Sequence, residues 1–184
     1  MSPLATVPAS VDEAIIIPAI GADGRLEPVG KLEAHRTGQL HLAVSVFVFD
    51  KERRLLVQRR AASKYHCPGM WANTCCTHPH WGEPLPDAAH RRTREELGFD
   101  VPLTERRTID YRADVGNGLI EHERVTMFTA MVEPASLPIA LNPKEVDAVD
   151  WLASSELRER AADGRISLTP WFAIYLQRFP ELVL

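Results

Sequence analysis

Two glutamates flank a histidine at Glu121-His122-Glu123. If that segment is a strand, side chains alternate with a period of two, and Glu121 and Glu123 project from one face. Paired carboxylates repel unless a cation sits between them or water screens both, so the pair reads either as part of a metal site or as an exposed face. His35, His41 and His78 are the histidines placed to join them. Imidazole nitrogen with carboxylate oxygen suits divalent Zn, Mn or Fe; each histidine taken singly reads more readily as a surface or hydrogen-bonded core residue, and it is the combination that favours a metal. Cys67, Cys75 and Cys76 are odd in number and crowded, a poor disulfide framework that fits free thiols in a reducing compartment. A structural zinc held by these cysteines with His78 or His80 is a rival use, but adjacent cysteines depart from the two-residue spacing of tetrahedral zinc sites.

The elements that would carry these groups follow from pattern. Leu42–Phe49 and Leu55–Val57 read as strands joined by a tight turn at Asp50-Lys51-Glu52, a core hairpin. Residues 65–86, rich in Pro and Gly and holding all three cysteines, read as a long ordered loop of the kind kept for binding or catalysis. Asp87 opens a helix running to Leu97 and stopped at Gly98, with Arg92, Glu95 and Glu96 on one face. Arg106–Arg112, Leu119–Val132 and Glu145–Leu152 read as strands, and helices begin after the capping hydroxyls of Ser154 and Thr169. The order predicts an α+β or α/β fold, a mixed sheet sandwiched between helices.

A chain of 184 residues with 45% hydrophobic and 25% charged residues is expected to form one globular domain, residues 12–184, behind a loose tail at residues 1–11. A formal charge of −4 leaves no basic footprint for nucleic acid, and no apolar run has the length of a membrane span. The expectation is a cytoplasmic monomer acting on a small molecule.

Glu83, Arg91, Glu95, Glu96 and Gly98 resemble the Nudix signature, whose helix face binds the cations that hold a diphosphate. Thr77 stands where that signature has its opening glycine, and Arg92 where it has the first glutamate of its Arg-Glu pair. A lost acidic ligand and a gained positive charge imply weakened multi-metal hydrolysis with a retained phosphate contact. The bland reading is an amphipathic surface helix laced with salt bridges.

In order, Lys31 to His35, His41, Arg59-Arg60-Ala61-Ala62-Ser63-Lys64, Pro68-Gly69-Met70-Trp71-Ala72-Asn73-Thr74-Cys75-Cys76-Thr77-His78-Pro79, Glu95-Glu96-Leu97-Gly98 and Glu121-His122-Glu123 resemble type I isopentenyl-diphosphate isomerase. The resemblance implies that Cys76, two places before His78, is catalytic, that Cys75 is a packing residue, and that Glu123 transfers protons with help from Tyr111. It implies a Mn or Zn ion on His35, His41, His78, Glu121 and Glu123, and Mg²⁺ on Glu96 and the Cys76 carbonyl with the diphosphate. Lys31, Arg60, Lys64 and Arg92 would contact the diphosphate, and Trp171 would close over the hydrocarbon. On this reading the Glu123–Tyr111 side protonates the alkene and Cys76 removes a proton. A Nudix hydrolase and a non-catalytic diphosphate-binding module are the competing readings.

Overall fold

The computed structural model describes residues 14–179. The tail expected at residues 1–11 lies outside them. Nine strands form one hydrogen-bonded sheet around a central strand, β3 (His41–Phe49). One edge of β3 pairs in parallel with β8 (Leu119–Met131) from His41↔Glu123 to Phe49↔Met131. The opposite edge carries β6 (Cys75–Thr77), antiparallel, with Ser45 across from Cys76 and Val46 across from Cys75. Strand β7 (Thr104–Gly116) forms a long hairpin with β8 through Asn117-Gly118, both at positive φ, a two-residue turn that matches the twist of its strands.

Alternation along β3 divides the molecule into two cores. Ala43, Phe47 and Phe49 face one cluster, which includes Trp171, Phe172, Tyr175 and Leu176 of α4 (Pro170–Arg178) and Leu157 of α3 (Ser154–Ala162). Val44, Val46 and Val48 face the other, built with Ala88, Ala89 and Leu97 of α2 (Leu85–Leu97). The expected sandwich of a mixed sheet between helices is therefore the fold.

Several expectations change in detail. The turn after Phe49 exists, with the Asp50 carboxylate accepting from the Arg54 backbone and side chain, but the strands it joins share only the pair Phe49↔Leu55. They then part, because β4 (Leu55–Arg60) pairs along its length with β9 (Val146–Leu152). The supposed loop at 65–86 contains β5 (Trp71–Ala72) and β6, and α2 starts at Leu85, two residues before Asp87, with proline in its first turn. Gly98 ends α2 at φ 77, as expected of a left-handed cap. Ser154 lies one position inside its helix, so Ala153 is the cap, and the hydroxyls of Ser154 and Thr169 make no capping bond. Residues 14–37, for which the sequence suggested no elements, form the hairpin β1 (Ile16–Ile20) and β2 (Leu26–Gly30), then the short helix α1 (Lys31–Thr37).

Candidate active site

Period two brings the chemistry to one face. Register places Cys76 across from Ser45, Glu123 across from His41 and Tyr111 across from Glu123, all on the side of the sheet that α4 covers. Cys75 faces the other way, 1% exposed against α2. The crowded thiols thus have opposite surroundings because they are neighbours on a strand. All three cysteines are unpaired.

Ligand atoms of His35, His41, His78 and Glu123 lie within 4.8 Å of one another. Backbone carbonyls of Lys31 and Gln39 accept from the Nδ1 atoms of His35 and His41, each at 2.7 Å, which leaves Nε2 as the lone-pair nitrogen on both rings. The His35 Nε2 is buried without a partner, and His78 Nε2 sits 2.9 Å from Glu123 and 3.2 Å from His41 Nε2. Burial, together with the charge of His41, lowers the pKa of His35 and, with the other imidazoles, brings His78 to about 3, despite the hydrogen bond to Glu123. Neutral imidazoles converging on an anionic oxygen fit a divalent ion. His35 is within the group, and Glu121 is outside it.

Tyr111 links the two glutamates. Its hydroxyl lies 2.8 Å from both Glu121 and Glu123, yet it has one proton to give. Burial and the neighbouring charge of Glu123 raise the Glu121 pKa well above the carboxylate range. Burial acts on Glu123 in the same direction but is outweighed by the close His41 and His78 imidazoles, the second hydrogen-bonded to it, which hold it well below. A consistent network has Glu121 protonated and donating to Tyr111, and Tyr111 donating to ionised Glu123. The exposed-face reading is overturned, since Glu121 and Glu123 are 4% and 6% exposed.

The Cys76 Sγ donates to Asn73 Oδ1 at 3.1 Å and lies 3.2 Å from Ser45 Oγ, which in turn meets the Tyr175 hydroxyl at 3.1 Å. Burial pushes the Cys76 thiol up to about 12, with the Ser45 and Asn73 hydrogen bonds acting against it, so the proton stays on sulfur at neutral pH. Sequence reasoning assigned no role to Ser45, Asn73 or Tyr175. Only Asn73 stood inside a quoted motif, and the strand register needed to find the others was not legible.

Cys76, His78, Tyr111, Glu121 and Glu123 line a cavity of about 190 Å³ that also holds Lys31, Arg60, Lys64, Arg92, Glu96 and Trp171. Every expected site residue borders it except His35 and His41, which are fully buried beside His78 and Glu123. Arg60 lies 5.3 Å from the Trp171 ring centroid. Arg92 is paired with Glu95, Glu96 and Glu145, and the last also accepts from Lys64 at 2.6 Å. Glu96 accepts from Gln58 at 2.9 Å as well. Glu145 and His66, both on the cavity wall, were not read as functional from sequence.

A helix carrying Arg91, Glu95 and Glu96 under a mixed sheet is the architecture of NUDIX proteins, and the model of the NUDIX domain matches residues 39–172. Among solved structures, one from Deinococcus radiodurans aligns with a TM-score of 0.71 over 89% of this chain and 98% of its own, at 16% identity. A MutT NUDIX hydrolase from Burkholderia pseudomallei aligns with a TM-score of 0.58 over 77% and 98%, at 22% identity. These support the fold alone. Relatives named isopentenyl-diphosphate Delta-isomerase are much nearer in sequence. Those from Dinoroseobacter shibae and Jannaschia sp. are 53% and 49% identical over 162 residues, covering 88% of this chain and 91% of each relative. That from Rhodobacter capsulatus is 46% identical over 169 residues, covering 91% and 94%. The chain belongs to the isopentenyl-diphosphate Delta-isomerase family of the NUDIX superfamily.

Proposed function

We infer that this chain interconverts isopentenyl diphosphate and dimethylallyl diphosphate by adding a proton at one end of an allylic unit and removing one from the other. The observation that carries the reading is the placement of Cys76 and Glu123 on strands paired to opposite edges of β3, both bordering one small cavity. An alkene lying between them meets a proton donor on one side and an acceptor on the other. The strong internal pairing of Arg92 supports an isomerase over a hydrolase, because a cation stands among the acidic side chains where another metal ligand would serve hydrolysis.

Cys76 and Glu123 are the paired donor and acceptor, and the forward and reverse reactions exchange their roles. Tyr111 orients Glu123 and connects it to the proton on Glu121. Protonation of an unactivated alkene creates a tertiary cation, which the buried Trp171 ring stabilises by about 2 kcal/mol when desolvated. Lys31, Arg60, Lys64 and Arg92 hold the diphosphate, whose binding energy orients the small hydrocarbon.

His35, His41, His78 and Glu123, with Glu121 beside them, would hold Mn²⁺ or Zn²⁺, and Glu96 with the Cys76 carbonyl would hold Mg²⁺ brought with the substrate. A bound divalent ion supplies positive charge that keeps Glu123 ionised and fixed. Proton NMR with isopentenyl diphosphate and Mg²⁺ in D2O, with and without Mn²⁺ or Zn²⁺, tests the function. Deuterated dimethylallyl diphosphate without phosphate release is expected; phosphate or pyrophosphate release without isomerisation would mean a hydrolase.

A further inference from the structure

His66 is 7% exposed, borders the cavity, and neither ring nitrogen has a hydrogen-bond partner among the described residues; its Nδ1 is fully buried. Buried polar groups are satisfied in the large majority of cases, and an unpaired one is destabilising unless a ligand completes it. The other imidazoles of the site contrast with it, since His35, His41 and His78 all make hydrogen bonds.

The backbone around His66 is also committed. Cys67 follows at φ 49, in the left-handed region and directly before Pro68, where a non-glycine residue is strained. This turn brings the His66 ring in against Trp171, 5.9 Å away between centroids, and His35, 6.2 Å away. The His66 carbonyl meanwhile accepts from Arg60 Nη2 at 3.1 Å. The charges acting on the ring are those of Arg60, His35, Lys31 and Lys64, and three of these are cations proposed to receive the diphosphate.

We propose that His66 is a further substrate-binding residue whose imidazole donates a hydrogen bond to a diphosphate oxygen seated against Arg60 and Lys64. The proposal rests on the diphosphate reading of the cavity. A neutral N–H beside cations adds direction to a site otherwise held by charge, and it places the anion at the Trp171 end.

Calorimetric binding of inorganic pyrophosphate with Mg²⁺ to the full chain tests this without depending on turnover. His66→Phe, which keeps the ring and removes the donor, should weaken binding about tenfold or more, whereas His66→Asn, which restores an N–H, should stay within about threefold of the parent. Thermal unfolding of both variants separates lost binding from lost folding, and equal weakening by Phe and Asn would mean a packing role and overturn the proposal. Binding by His66→Phe as tight as the parent's overturns the His66 assignment alone. If the parent chain itself binds no pyrophosphate, both the proposal and the diphosphate reading are withdrawn.

Discussion

The contrast between Cys75 and Cys76 shows how much depends on which way a side chain points. Both thiols are raised in pKa by burial, but Cys75 packs between β3 and α2, whereas Cys76 borders the cavity with Ser45 and Asn73 on its sulfur. Cys76→Ala and Glu123→Gln are each expected to lower turnover by at least about a thousandfold, within the range carried by a single acid–base group. Cys75→Ala should keep turnover within about twofold while costing about 1 kcal/mol of stability, the scale of a small buried deletion. Steady-state rates paired with urea unfolding distinguish these outcomes, and near-normal turnover of the Cys76 variant would remove that thiol from the mechanism. Tyr111→Phe deletes the hydroxyl that links Glu121 to Glu123 but leaves the ring against Tyr175. Its kcat should fall about tenfold to a hundredfold with little change in KM; a larger rise in KM than fall in kcat would point to a binding role instead.

The helix that carries Arg92 and Glu96 depends on its end. Gly98 has φ 77, and a Cβ there would lie 2.6 Å from Ala140 Cβ and 2.7 Å from the Ala140 carbonyl oxygen. The segment it would strike is fastened across the helix terminus by Ala140 N–H to the Leu97 carbonyl and Asn142 N–H to the Glu96 carbonyl, and it leads directly to Glu145. Gly98→Ala is therefore expected to cost about 2 kcal/mol or more, combining backbone strain with a contact that only backbone movement relieves. It should also raise KM, because Glu145 holds Lys64 and Arg92; urea unfolding and KM measured on the same preparation check both, and a KM unchanged beside lost stability would detach Glu145 from the site. Such dependence explains what was legible in sequence. The long β7–β8 hairpin, α2 and its glycine cap carry strong local patterns, so they were read correctly in kind. β1 and β2 each contain a proline and are five residues long, and α1 is seven, too short for a periodic signal. β6 was hidden in a Pro- and Gly-rich stretch because its pairing with β3 is non-local. The histidines and strand glutamates were legible as candidate ligands and the resemblance gave them roles, while Glu145 and His66 reach the cavity, and Ser45 with Tyr175 behind it reaches the Cys76 sulfur, through register and tertiary packing that no local spacing records.

At the scale of the whole molecule, one face of the sheet buries ionisable groups that resist taking up protons, and stability must then depend on pH. His78 and His66 have pKa values held down to about 3 and about 2, chiefly by burial, and His35 is lowered in the same direction. The sign follows from proton counts. Unfolded imidazole titrates near 6.5, so between about pH 6.5 and pH 3 the unfolded chain binds protons that the folded chain refuses, and stability falls as pH falls. The contribution is fully present above the unfolded pKa, and each such group removes about 1.4 kcal/mol per pH unit well below it. With His35 added, these imidazoles outnumber the one opposing group, Glu121, whose raised pKa has the folded chain keep a proton that the unfolded carboxyl releases above its ordinary range, so a net loss of stability is predicted as pH falls towards 5. Urea unfolding of metal-free protein at half-unit steps from pH 7.5 to 4.5 measures the slope, and a flat profile would exclude buried neutral histidines. Mn²⁺ or Zn²⁺ should raise the unfolding midpoint at pH 7.5, and because the folded imidazoles of His35 and His78 resist protonation well below the ordinary histidine range, that gain should persist to about pH 5. His41→Ala should abolish the metal-dependent gain at pH 7.5, whereas His90→Ala, which changes a histidine paired with Asp100 on the far side of α2, should leave it intact.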